Sequence, residues 1–234
     1  MRILGIDSAT SCGGIAIIED NMILASLVLN VKKTHSERLL KNIDYLLGEC
    51  GVQIMDIDGV AVSIGPGSFT GIRIGMACAK GLAYSSGKPL VGVSLLDAIA
   101  LRNAEPGILV CPVLDARRNE IFGAAYKMEA ETRKMKETLP GRAEPLVKFL
   151  ENIREKALFC GDGAFKFKET IEKTLGEKAI IAPANRNLPS AVEIAMIGME
   201  RLVRGEKDDI AGLAPLYLRA HDARLPSNTG IKIL

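Results

Sequence analysis

The chain has 234 residues, of which 48% are hydrophobic and 25% charged, and a formal net charge of +2. That balance excludes a disordered or low-complexity chain and gives no overall basic excess of the kind that marks a nucleic-acid binder. No apolar run approaches the roughly 20 residues of a membrane span, so no membrane contact is expected.

The N-terminal residues lead straight into a strand rather than a signal peptide, which points to a cytoplasmic protein. The five cysteines are widely spaced without a C-x-x-C pair, which fits reduced thiols there. Two histidines and no tryptophan leave little material for histidine-based chemistry or base stacking.

In chain order, residues 2–7 read as an apolar strand ending on Asp7. Residues 8–14 form a small-residue turn containing Ser8 and Thr10. Strands at 15–18 and 23–29 follow, separated by the turn Glu19-Asp20-Asn21. Thr34 and Glu37 have capping-box spacing and open a helix that carries Leu39, Ile43, Leu46 and Leu47 at helical intervals. Strands are expected at 57–64 and 89–93, and a helix at 95–101 after the cap Ser94. A new strand group starts near Ile108, with a hairpin whose polar turn is Asp115-Ala-Arg-Arg-Asn-Glu120. Residues 130–141 read as a charged surface segment and 145–156 as an amphipathic helix. A strand at 157–160, a helix at 165–175 and a short strand at 179–182 complete this part. Residues 185–189 form a linker, Ser190 and Glu193 a capping box for a helix at 191–204, and 214–219 a closing extended segment.

The most informative stretch runs from Gly59 to Gly81. A β-branched strand stops at Gly65-Pro-Gly67, Ser68 caps, and a helix follows with Phe69, Ile72, Met76, Ala79 and Leu82 on or near one face. Gly71, Gly75 and Ala79 recur every four residues and form one smooth stripe. Each helix-interior glycine costs about 1 kcal/mol against alanine, so something is expected to approach this helix closely: either the chain's own sheet or a helix of another subunit. The turn is no Walker A loop, because Ile72 follows Gly71 where a lysine is needed. It is no nucleophile elbow either, since Pro66 and Thr70 flank Ser68. Free N–H groups at the helix start leave an anion loop at Gly65, Gly67 and Ser68 open as a reading. The strand–turn–strand carrying Asp7, Ser8 and Thr10 separately resembles the phosphate hairpin of the actin-like ATPase superfamily.

Five motifs stand together: Gly5-Ile-Asp-Ser-Ala-Thr10, Thr34-His-Ser-Glu-Arg38, Gly65-Pro-Gly-Ser-Phe-Thr-Gly-Ile-Arg73, Leu114-Asp-Ala-Arg117 and Pro215-Leu-Tyr-Leu-Arg219. In this order and spacing the chain resembles the TsaB (YeaZ) family from Met1 to about Arg219. The resemblance implies an α/β fold of two actin-like (ASKHA, ribonuclease-H-like) domains, with mixed sheets and a reduced second domain. It places the first domain at 1–104 and the second at 105–189. A C-terminal helix and extended segment follow at 190–220 and a tail at 221–234, with the helix 191–204 expected to return to the first domain.

The family implies a part in making threonylcarbamoyladenosine next to the anticodon of tRNAs that read A-starting codons. It implies pairing with the transferase TsaD and the ATPase TsaE, contact with tRNA through that complex, and a homodimer when alone. Pairing uses the first two helices, which designates His35, Arg38, Leu39, Ile43, Gly71, Ile72, Gly75, Met76 and Ala79 as interface candidates. TsaD-like chains carry two histidines four apart; here His35 is followed by Leu39, so no metal, cofactor or catalytic residue is assigned. The alternative reading is an ATPase or small-molecule kinase of the same superfamily. Against it, the Asp115 hairpin has arginines where a second phosphate hairpin usually has glycines. The same Leu39 speaks against a metallopeptidase.

Overall fold

The computed structural model describes residues 1–20, 22–30, 37–132, 134–187 and 191–219. Two five-stranded mixed sheets form its frame. The first contains β1 (Arg2–Asp7), β2 (Cys12–Glu19), β3 (Met22–Asn30), β4 (Gly59–Gly65) and β5 (Leu90–Ser94), in the order β3-β2-β1-β4-β5. β1–β2 and β2–β3 are antiparallel; β1–β4 and β4–β5 are parallel. The second contains β6 (Leu109–Arg117), β7 (Glu120–Met128), β8 (Met135–Pro145), β9 (Ala157–Cys160) and β10 (Ala179–Ile181), in the order β10-β9-β6-β7-β8. Its pairings repeat the first: two antiparallel hairpin steps, then two parallel steps. The chain is thus two copies of one topology, and the β6–β7 hairpin is the counterpart of β1–β2.

The helices differ between the copies. α1 (Leu39–Glu49) and α2 (Phe69–Ser86) cover one face of the first sheet, and α7 (Ala191–Val203) covers the other. α3 (Leu95–Arg102) packs against α7 and also meets β6, β7 and β8. Besides α3, the second sheet is packed by the short helices α4 (Leu146–Leu150), α5 (Asp162–Lys166) and α6 (Lys168–Leu175). α7 sits very close to the strands beneath it: a Cβ on Gly5 would meet the Ala191 carbonyl at 2.2 Å, and one on Gly198 would meet the Ala61 Cβ at 2.4 Å.

α2 approaches its face of the sheet in the same way. Ser68 caps it by accepting the Gly71 N–H, and Gly87 ends it with a left-handed φ of 67°. A Cβ on Gly71 would lie 2.1 Å from the Ser8 carbonyl oxygen, and one on Gly75 would lie 2.2 Å from Ser8 Oγ. The stripe therefore faces the chain's own β1–β2 turn and not a second subunit. The missing side chains are what let the helix backbone reach the turn.

Three sequence expectations change. Residues 130–141 are not a mere surface segment, because Met135–Pro145 is a strand paired to β7 along its length. It is an edge strand, where Pro140 breaks no interior ladder and charged side chains face water. The expected helix at 145–156 shrinks to the five residues of α4. The helix at 165–175 is instead α5 and α6, broken at Phe167. The capping box at Thr34 and the Ser190 cap lie outside the described residues.

The two kinds of helix glycine make a paired test. At Gly81 no atom lies within 4 Å of the place a Cβ would take, so Gly81→Ala is expected to raise stability by about 1 kcal/mol. Gly71→Ala should lower it by about 1–3 kcal/mol through overpacking on Ser8. Urea unfolding of both variants checks this, and equal shifts for the two would contradict the packing described.

Candidate functional site

The two turns named as anion-loop candidates lie against each other and are linked by hydrogen bonds. Asp7 and Ser8 are buried. Ser8 Oγ donates to the Gly71 carbonyl at 2.8 Å, and Ala9 N–H donates to Asp7 Oδ1 at 3.0 Å. Ser68 N–H donates to the Ala9 carbonyl at 2.6 Å, and Gly71 N–H donates to Ser68 Oγ at 3.2 Å. Thr10 Oγ1 donates to the Cys12 carbonyl at 2.9 Å. Gly65 and Gly67 have positive φ values, and a Cβ on Gly67 would sit 2.1 Å from the Ala9 carbonyl. Ser8 Oγ and the Ser68 N–H thus tie the two turns to each other, while Ala9, Thr10 and Gly71 donate within their own turns.

The interface candidates change as well. Leu39, Ile43, Gly71, Ile72, Gly75, Met76 and Ala79 are all buried in the chain's own core. Arg38 is half-buried, and His35 lies outside the described residues. The outer face of the same two helices carries other residues: Leu40 and Tyr45 on α1 are 60% and 58% exposed, and Ala77 on α2 is exposed beside half-buried Ile74. A periodic apolar pattern marks the face that packs inward, and the named candidates lie on that face.

Between the two sheets lies a cleft. One end is a groove of 390 Å³ lined by Pro66, Gly67, Phe69, Ile72, Ala116, Arg117, Arg118, Phe122 and the segment Leu216–Arg219. The adjoining end, of 460 Å³, is lined by Thr10, Ser68, Thr70, Asp115 and Asp162 among others. The closing segment crosses this cleft. Leu216 N–H donates to the Ile64 carbonyl at 2.8 Å on the first sheet. Tyr217 stacks on Phe69 with centroids 5.7 Å apart, and its hydroxyl accepts from Arg73 Nε at 3.2 Å. The Arg73 guanidinium lies 3.7 Å from the Phe69 ring centroid. Arg219 then pairs with Glu120 at the start of β7 on the second sheet. The motif Pro215–Arg219 was visible in the sequence, but its partners Phe69, Arg73 and Glu120 lie far away in the chain and no local signal names them.

The β6–β7 turn at the groove is held in an uncommon conformation. Arg117, Arg118 and Asn119 have φ of 63°, 51° and 61°, a left-handed run that costs non-glycine residues about 1–2 kcal/mol each. Strand pairing of Arg117 with Glu120 and the hydrogen bond from Arg117 N–H to Asp115 Oδ1, 2.9 Å, hold it there. Asp115 is in turn paired with Lys166 at 2.6 Å.

No group of three or more metal-ligating side chains occurs among the described residues. The position four residues after His35 is Leu39, an apolar side chain only 7% exposed, so the residues present do not fit a two-histidine metal site. Burial pushes the Cys12 and Cys78 thiols up to about 11, which leaves neither as a thiolate nucleophile at neutral pH. No described helix is long and apolar enough to cross a membrane.

The fold and the duplicated topology define an actin-like two-domain protein. Residues 23–227 match the family model of TsaD, tRNA N6-adenosine threonylcarbamoyltransferase. The chain is 34% identical over 226 residues to the tRNA threonylcarbamoyladenosine biosynthesis protein TsaB of Bacillus subtilis, covering 95% of this chain and 96% of that one. It is 28% identical over 227 residues to TsaB of Escherichia coli, covering 94% and 95%. It superposes on YeaZ from Pseudomonas aeruginosa with a TM-score of 0.77 at 25% identity, over 93% of this chain and 99% of that one. The chain belongs to the TsaB (YeaZ) family.

One titratable pair joins the two halves. Tyr126 on β7 donates its hydroxyl to Asp97 Oδ1 on α3 at 2.6 Å. Burial raises the Asp97 carboxyl above its ordinary value, the Tyr126 hydrogen bond opposes that rise, and nearby Glu137 adds to it. Burial and the neighbouring Asp97 push the Tyr126 phenol far up, so it stays protonated and donates. A carboxyl raised in the folded state favours folding when protonated, and that contribution is lost as pH rises through the raised value. Asp97→Asn mimics the neutral form. Its stability relative to the unsubstituted chain should therefore climb as pH rises from about 4 and then level off. Chemical unfolding at several pH values checks this, and a difference that is flat across that range would contradict it.

Proposed function

We propose that this chain is a non-catalytic subunit in the synthesis of threonylcarbamoyladenosine in tRNA. The observation that carries the reading is the whole-length likeness to relatives named for that biosynthesis. In this reading it pairs with TsaD, supports the active form of that transferase and contributes to the platform on which TsaE acts. Alone it forms a homodimer, and it works in the cytoplasm. The buried Leu39 at a metal-ligand position supports a role without catalysis, as do the internally bonded donors of the Ser8 and Ser68 turns. The transfer chemistry then belongs to the partner, and this chain supplies a surface.

The outer face of α1 and α2 is the surface proposed for pairing. It exposes Leu40, Tyr45 and Ala77 on helices whose inner faces are anchored in the first core. Because Ala77 points to solvent, Ala77→Glu should leave the chain folded while weakening TsaD binding at least tenfold, as measured by calorimetric titration. Undiminished binding would overturn this choice of face.

Omission of each component from a reconstituted tRNA modification assay tests the reading as a whole. No transfer is expected from this chain without TsaD, little from TsaD without this chain, and full transfer from the combination. His35→Ala is expected to leave the combined activity within about twofold. Transfer by this chain in a preparation free of TsaD would overturn the non-catalytic reading.

A further inference from the structure

The groove under the closing segment combines features that the proposed scaffold role does not use. Three arginines line it, Arg117, Arg118 and Arg219, together with the aromatic rings of Phe69, Phe122 and Tyr217, and no carboxylate residue is among its described lining. Glu120 reaches that lining from β7 by pairing with Arg219. Asp115 and Asp162 line the adjoining end of the cleft, which shares Arg117, Arg219, Phe69 and Phe122 with the groove, and Lys166 pairs with Asp115 there. The cleft therefore carries Arg117, Arg118 and Arg219 together, with Arg219 paired to Glu120 and Lys166 to Asp115.

Two further observations go with that charge. The Arg117–Asn119 turn is held left-handed through three successive non-glycine residues, and such outliers concentrate where a side chain has to be aimed. Both arginines of the turn are exposed, although strand pairing fixes the backbone that carries them. Opposite them, Phe69 and Tyr217 are stacked yet remain 46% and 37% exposed. Arginine forks suit phosphate oxygens, and planar aromatic or guanidinium groups suit an unstacked base. The groove volume of 390 Å³ falls in the range of small-ligand sites, enough for a single nucleotide unit.

We propose that this groove binds single-stranded RNA, with the Arg117–Arg118 turn on the phosphates and the Phe69–Tyr217 stack beside a base. The inference rests on the tRNA-modification reading for the source of that RNA, and it adds a direct contact between this chain and the complex's substrate. Arg219 and Glu120 act as positioning residues, because their pairing holds Tyr217 and the turn on opposite walls of the same groove.

The test uses a fluorescein-labelled tRNA anticodon stem-loop, read by anisotropy against the full chain alone and against the chain with TsaD, over a series of salt concentrations. Arg117→Ala/Arg118→Ala is expected to weaken binding at least fivefold and to reduce the salt slope by about 1 to 2. Arg117→Lys/Arg118→Lys, which keeps the charge on the same exposed turn, should recover most of the slope. Circular dichroism confirms that both variants are folded. The proposal is overturned if the alanine variant keeps the original affinity and slope, or if neither the chain nor the complex binds the RNA. It is also overturned if ATP binds the chain as tightly as the RNA and displaces it, which would make this a mononucleotide pocket. Gel filtration with TsaD separates the two readings: loss of pairing with RNA binding intact removes the scaffold role and leaves this one standing.

Discussion

The rest of the structure depends on how closely α2 meets the turn after β1. Without side chains at Gly71 and Gly75 the helix backbone comes within van der Waals reach of Ser8, and Ser8 in turn donates to the Gly71 carbonyl. Gly67 allows the Ser68 N–H to reach the Ala9 carbonyl. Two turns that would be separate loops in a looser protein become one rigid block. That block fixes the start of α2, and with it Phe69 and Arg73 at the cleft. The helix pays for this in glycine, about 1 kcal/mol at each interior position, and the contact with Ser8 offsets it.

The same constraint argues against chemistry at the turns. At the β1–β2 tip the Ala9 and Cys12 N–H groups are taken by Asp7 Oδ1 and Thr10 Oγ1 of the same turn, while Ser8 Oγ and the Ser68 N–H tie the tip to the start of α2. In the second half, the equivalent hairpin carries Arg117 and Arg118 on a left-handed backbone. The duplicated topology is intact in both halves, while the groups at the two hairpin tips have diverged from each other. One tip is tied to the start of α2 through Ser8 and brings Thr10 and Ser11 to the cleft, and the other presents cations to the same cleft. The segment that ends at Arg219 spans the two, through Leu216 on β4 and Arg219 on Glu120.

Much of the first half was legible in the sequence. β1, β4, α2 and α3 follow from β-branched runs, the glycine turn and the serine caps, which are local signals. The four-residue glycine period correctly announced a close approach, but periodicity carries no information about which surface approaches. Leu39, Ile43, Ile72, Met76 and Ala79, named as interface candidates through the family resemblance, have the apolar spacing of the inward face and are buried in the chain's own core. β8 was missed because Lys136, Glu137 and Arg142 hide the strand pattern, and an edge strand needs little apolar alternation. The Phe69–Tyr217 stack and the Asp97–Tyr126 bond depend on contacts between distant parts of the chain, so composition and spacing could not reveal them.

The central claim is that this chain contributes a surface, made by the outer sides of α1 and α2, to a partner that does the chemistry. Hydrogen–deuterium exchange of the chain alone and mixed with TsaD tests it most directly. The account predicts added protection in peptides covering 37–50 and 69–87, with the second sheet at 109–145 little changed by TsaD. Protection confined to the second sheet, with α1 and α2 unaffected, would contradict it.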